Sequence, residues 1–164
     1  MRNSTELDRT DFAILGLLQK NARLTNKELS EMVGVAPSTC LERVRRLVAS
    51  GVIKGFHAEV DSGHLGIGLQ AIIAVRLKQH LRDLVLEFHQ HVLTLQEVCG
   101  VYHITGSDDF LVHVAVRDSD HLRDLALDAF TSRSEVDHIH TRLIFDYTPT
   151  WRLPVGPLDQ GDRG

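Results

Sequence analysis

The strongest constraint on this chain lies near its N-terminus, where two helix-start signals flank a glycine. Thr25 is followed three residues later by Glu28, the capping-box spacing in which each side chain reaches the other's unpaired backbone N–H. The helix opened there is short, because Gly34 follows directly on Met32 and Val33. Pro37 opens another helix, since its fixed φ and missing N–H suit a first helical position, and Gly51 stops it after Ser50. Upstream, residues 8–21 carry Phe12, Leu15 and Leu18 at intervals of three, with Ile14 and Leu17 widening the stripe into a helix face. Three helices with a tight turn between the last two form a helix-turn-helix pattern.

The third helix of that pattern has two unlike faces. On a helical wheel Pro37, Leu41, Val44 and Val48 fall together and predict the buried side. Ser38, Thr39, Glu42 and Arg46 fall opposite, with Arg43 beside them. Short hydroxyls near the N-terminus and arginines further along suit a helix that approaches base edges and phosphates in a DNA groove. Most charged helix faces are only solvated surface; the short capped helix and glycine turn ahead of this one favour DNA contact. The candidate DNA-contacting residues are Ser38, Thr39, Glu42, Arg43, Arg45, Arg46 and Lys54.

Charge distribution agrees with that expectation. Residues 1–60 carry nine Lys/Arg against seven Asp/Glu, while the rest carry nine against fifteen, within a net charge of −4. A basic front and an acidic back suit a chain that meets nucleic acid with its front only. A composition 43% hydrophobic and 24% charged argues against disorder. The longest apolar runs, such as Ala71 to Val75, fall far short of the ~20 residues a membrane helix needs, so no membrane partner is expected. The first six residues lack the apolar core of a secretory signal. Cys40 and Cys99 stand far apart without a CxxC neighbour, which argues against a disulfide framework or thiolate metal site and predicts a cytoplasmic location.

Beyond Gly51 the pattern changes. Residues 52–60 alternate and predict a strand leaving a winged helix-turn-helix, with Lys54 placed to meet a phosphate. Residues 61–68, dense in glycine and small polar side chains, predict a linker. There follow an apolar strand over 69–77, read as buried on both faces, a helix over 81–92, and strands over 98–105 and 110–116 joined by a turn at Gly106, Ser107, Asp108 and Asp109. A helix opened by Asp118 or Ser119 and a strand over 136–145 complete the series. The order βαββαβ predicts a ferredoxin-like plan, which by itself names no activity. The fold class is therefore α+β, divided into 1–60, a linker at 61–68, a second domain over 69–152, and a flexible tail at 153–164.

Among ten histidines, His138 and His140 are two apart on a predicted strand and share a side, while His103 and His113 flank the glycine turn. Such a cluster can hold a transition metal, although scattered strand histidines are more often half-buried polar residues with ordinary partners. No HExxH or CxxC accompanies them and no nucleophile–base motif is present, so no catalytic residue, metal ligand or cofactor is assigned. An enzyme or metal-binding protein built on these histidines is the rival reading. A small-molecule sensor without DNA contact has no use for the Ser38–Arg46 face.

Together these segments resemble the Lrp/AsnC ("feast/famine") family of transcriptional regulators, over roughly Leu7 to Trp151. The marks are the run from Leu7 to Asp11, that from Asn26 to Ser30, and above all that from Cys40 to Leu47 followed by Gly51 to Gly55. The family's glycine-acid loop, Gly-Asp-x-Asp-aromatic, corresponds to Gly106 through Phe110, with Ser107 in place of the first acid. The family's valine followed five residues later by threonine corresponds to Val136 and Thr141. The resemblance implies a winged helix-turn-helix joined to a ferredoxin-like (RAM) domain, binding double-stranded DNA. It also implies homodimers paired through their sheets and assembled into octamers, with an amino-acid effector bound between neighbouring dimers. The effector site expected on that basis comprises Tyr102, Thr105, Gly106, Ser107, Asp108 and Asp109, together with Val136, His138 and Thr141 from the 136–141 stretch of a neighbouring subunit. Asp108 or Asp109 would accept from the ammonium, and loop N–H groups would hold the carboxylate.

Overall fold

Capping chemistry sets the helices of the N-terminal part. Helix α1 (Arg9–Lys20) begins with a reciprocal box in which the Asp11 N–H donates to Asp8 Oδ1 at 2.9 Å and the Asp8 N–H to Asp11 Oδ2 at 3.2 Å. Helix α2 (Asn26–Val33) carries the expected box, with the Thr25 N–H donating to Glu28 Oε2 at 2.8 Å and the Glu28 N–H to Thr25 Oγ1 at 3.2 Å. It ends at Gly34, whose φ of +71° lies in the left-handed region where a side chain is disfavoured. Helix α3 (Pro37–Ala49) follows, with proline at its start and Ser50 as its C-cap. Ile14, Leu29, Cys40 and Leu47 make the core these helices share.

The computed structural model describes residues 6–150 and 152–154. It divides into two compact units, one from the N-terminus to Glu59 together with the residues from Pro149 onward, the other Val60–Thr148. Among the described residues, those from Pro149 group with the helical unit. The Leu153 N–H donates to Gln19 Oε1 at 2.6 Å, and Gln19 Nε2 donates to the Leu153 carbonyl at 3.3 Å. The remainder of the expected flexible tail beyond residue 154, Trp151 and the first five residues lie outside the described residues.

The strand expected over 52–60 is absent. A strand needs a neighbour to complete its ladder, and no strand pairs with this segment among the described residues. Ile53 instead packs on the helical core, and its N–H donates to the Leu47 carbonyl at 3.0 Å. The expected linker holds a 3₁₀ turn, Ser62–Leu65, closed by Gly66.

The second unit runs β1 (Leu69–Leu77), α4 (Arg82–Val92), β2 (Val98–His103), β3 (Phe110–Val116), α5 (Ser119–Leu125), a π-helical turn (Ala126–Thr131) and β4 (Val136–Leu143). Asp118 caps α5 by accepting from the His121 N–H at 2.8 Å. The four strands form one antiparallel sheet in the order β2-β3-β1-β4, as the ferredoxin-like plan requires. Ile73, Val75, Leu77, Val112, Val114 and Val116 face a helix layer contributing Phe88, Val92, Leu122, Leu125 and Phe130. Burial of β1 on both faces is only partly met, because Ile72 and Arg76 on its other side are half-buried. Where β1 meets β4, Arg76 pairs with His138 and Leu77 with Val136, leaving Asp137 as the extra residue of a bulge. Among the described residues no helix is long and apolar enough to cross a membrane.

Gly68 leads into β1 with its N–H on the Val116 carbonyl at 3.1 Å, and a Cβ there would lie 2.4 Å from the Arg117 carbonyl oxygen. Backbone on both sides leaves nothing flexible to yield. Gly68→Ala is therefore expected to cost about 1–3 kcal/mol, read as a lowered urea midpoint for the second unit; an unchanged midpoint would contradict this packing.

Candidate functional site

The outward face of α3 is decided by one buried carboxylate. Asp11 is fully buried, and Arg46 grips it through one guanidinium nitrogen at 2.7 and 2.8 Å. Arg43 donates to Asp11 at 3.0 Å and to Asp8 at 2.6 Å. The Asp11 backbone N–H, and after it the Arg43 guanidinium, hold the Asp8 carboxyl below its usual range. Arg43 and Arg46 are thus committed to fastening α3 to α1. Both guanidinium groups are engaged by Asp11 in the free protein, while the Arg46 side chain remains 49% exposed.

The buried stripe of α3 is also rotated from the wheel expectation. Cys40 and Leu47 are buried with Val44 beside them, whereas Leu41 and Val48 are 38% and 46% exposed. Ser38, Thr39, Glu42 and Arg45 all stand exposed. Among the described residues no carboxylate lies within ion-pair distance of Arg45 or Lys54. The helix is fixed at its start as well, since Asn26 Nδ2 donates to the Pro37 carbonyl at 2.8 Å and so joins α2 to α3. The surface on offer is therefore Ser38, Leu41, Glu42 and Arg45, with Thr39 at its flank and Lys54 exposed beyond the helix.

In the second unit the turn after β2 separates the two acids that the sequence left equivalent. Asp109 is buried; its Oδ2 accepts the Leu77 N–H at 2.8 Å, and its Oδ1 lies 3.1 Å from His80 Nδ1 and 3.7 Å from an Arg76 nitrogen. Its own N–H donates to the Val75 carbonyl at 2.9 Å. Asp109 therefore pins the turn to the end of β1, and its carboxylate is spent inside the fold. Asp108 is only half-buried and accepts from the Ser107 hydroxyl at 3.1 Å. Gly106, at φ +124°, offers its carbonyl to Arg76 at 3.2 Å.

Other expected effector residues divide between the two sheet faces. Tyr102, cross-strand from Leu111, and His138, cross-strand from Arg76, lie on the sheet face opposite the helix layer of their own unit. Thr105, Gly106 and Ser107 are exposed in the turn. Val136 is instead a buried member of the core, and Thr141 pairs with Ile73 on the helix-facing side. The bulge at Asp137 offsets the alternation, so that Val136 and His138, two residues apart, stand on opposite faces of the sheet. Sequence patterning missed His80 and Arg82, which with Val85, Leu86, His103 and Asp109 line an open cavity of about 450 Å³; no motif marks them.

The flanking histidines do not join a common cluster. His103 stacks on Phe110 with ring centroids 4.7 Å apart. His113 pairs with Gln70 at 2.8 Å and meets the Tyr147 ring edge-on, and burial depresses its pKa.

Comparison with known proteins matches both units. A model for the winged helix-turn-helix DNA-binding domain matches residues 7–54, and one for the Lrp/AsnC ligand binding domain matches residues 70–148. The HTH-type transcriptional regulator AldR of Mycolicibacterium smegmatis is 44% identical over 142 residues, covering 87% of this chain and 83% of that protein. The leucine-responsive regulatory protein of Escherichia coli is 32% identical over 145 residues, covering 88% of each. A transcriptional regulator of Neisseria meningitidis, solved in complex with L-methionine, superposes with a TM-score of 0.80 at 32% identity, covering 91% of this chain and 97% of that one.

The Asp11 clamp is directly testable. Asp11→Ala leaves Arg46 without its carboxylate, deprives Arg43 of one of its two and breaks one half of the α1 capping box, and is expected to lower the Tm of the helical unit by about 5–10 °C. Circular dichroism melting checks this; an unaltered Tm would mean that the clamp does not hold α3.

Proposed function

This chain belongs to the Lrp/AsnC family of transcriptional regulators, and from that premise we propose that α3 enters the DNA major groove while the second unit binds an amino acid. The observation that carries the reading is the capped α2, the left-handed Gly34 and the exposed face of α3 in sequence. Within that face Arg45 is the guanidinium free to fork onto a guanine or clamp a phosphate. Ser38 and Glu42 reach bases from the N-terminal half of the helix, and Lys54 meets the backbone. A cytoplasmic location and a homodimer assembling to an octamer, both expected of the family, are part of the same proposal.

For the effector, Asp108 is the carboxylate still able to accept from an ammonium, and the turn around Gly106 lets backbone N–H groups approach a carboxylate. Tyr102, Thr105, Ser107 and His138 supply the surrounding wall. That a related regulator was crystallised with L-methionine supports an amino acid as the ligand class. A site completed between neighbouring subunits binds only the assembled form, so the ligand shifts the assembly equilibrium.

Arg45→Ala is expected to weaken binding to an operator duplex by ~1–3 kcal/mol and to shallow the log–log salt slope by about one if the contact is to phosphate. Fluorescence anisotropy across a salt series, with circular dichroism to verify the fold, makes the measurement. Affinity equal to wild type would remove α3 from the groove. Calorimetric titration with the twenty amino acids tests the effector site: Asp108→Ala should abolish the heat of whichever amino acid wild type binds. Binding that survives this substitution undiminished refutes the ammonium contact.

A further inference from the structure

We propose that Asp108, His138 and His140 form a binding site for a transition-metal dication on the open face of the sheet. One ligand atom from each of the three side chains lies within 4.8 Å of the others. The histidines come from alternate positions of β4, cross-strand from Arg76 and Ala74, and so project from one face. Their rings stand edge-to-face with centroids 5.1 Å apart. Asp108 reaches them from the turn between β2 and β3, a segment remote in sequence that Asp109 holds in place against β1. Among the described residues no hydrogen bond joins Asp108 to either ring, and no lysine or arginine pairs with it. The nearby Arg76 guanidinium is turned to the Gly106 carbonyl and Asp109.

A second feature orients one ligand. Asp137, the extra residue of the β1–β4 bulge, places its carboxylate 2.9 Å from His138 Nδ1. A proton on Nδ1 directed at that carboxylate leaves the Nε2 lone pair for a metal, the arrangement in which an outer carboxylate fixes the tautomer. Two imidazoles and one carboxylate suit zinc, cobalt, nickel or copper better than magnesium or calcium, which prefer oxygen alone. Metal–ligand bonds of about 2.0–2.2 Å require the three atoms to draw closer than they stand. Rotation of two exposed side chains and the half-buried Asp108 supplies that movement. Three protein ligands leave a coordination position open to water or to a small exogenous ligand. A bound ion would clip the Gly106–Asp109 turn to β4 and stabilise the second unit, since it binds the folded form alone.

The site shares Asp108 and His138 with the amino-acid reading and does not rest on it, because the metal is tested alone. The full chain, stripped with EDTA and desalted, is titrated with Zn²⁺ by calorimetry and with Co²⁺ by visible absorption. About one Zn²⁺ per chain is expected, with a Tm increase and a Co²⁺ d–d spectrum of mixed nitrogen and oxygen ligation. His140→Ala and Asp108→Ala should each remove the Tm increase, and Asp137→Ala should weaken binding on the order of tenfold. His64→Ala, at an exposed histidine beside Asp61 outside the site, should change neither. His140→Gln serves where the alanine variant folds poorly. Failure of wild type to bind Zn²⁺ overturns the proposal, as does a His138→Ala/His140→Ala double variant that binds it with wild-type stoichiometry and affinity.

Discussion

A carboxylate shielded from water must be met by charge, and Asp11 meets two arginines one turn apart on α3. Removing either guanidinium would leave a buried charge short of a partner, so the pair fixes the rotation of α3 about its own axis. The same Asp11 completes the capping box of α1. One side chain thereby sets where the first helix begins and which face the third helix presents. Ser38, Glu42 and Arg45 stand exposed on the face of α3 that the Asp11 ion pairs leave unengaged, and the proposed DNA contact rests on that division.

The second unit uses a buried carboxylate in a similar way. Asp109 accepts the Leu77 N–H and ties the β2–β3 turn to the end of β1. With Asp109 so occupied, its neighbour Asp108 is left beside His138 and His140 on the uncovered sheet face. Adjacent acids in one short turn therefore have separate tasks, one structural and one available to a ligand. The bulge at Asp137 adds an outer carboxylate to the same place.

Helix boundaries were legible because their causes are local. Thr25 with Glu28, Pro37 and Asp118 each satisfy or forgo a backbone group within a few residues, and each marks an observed helix start. A continuous apolar run marked β1 and the partner beyond the Gly106 turn marked β3, each at its observed limits, and the order of elements indicated the ferredoxin-like sheet. Residues 52–60 alternate as well and form no strand, since alternation describes a strand's faces and not whether a partner is present to complete its hydrogen bonds.

By itself the sequence determined the element order, the helix caps and the residue types available to touch a ligand, all set by contacts within a turn or two. The phase of α3 was misread, because Leu41, Val44 and Val48 fit helical spacing as well as Cys40, Val44 and Leu47 do. Only the tertiary structure decided it, through an ion pair between residues 35 apart that no periodicity encodes. The same holds for Asp108 and Asp109: both are acids in one turn, and only the pairing of that turn with β1 decides which is spent on the fold and which remains free.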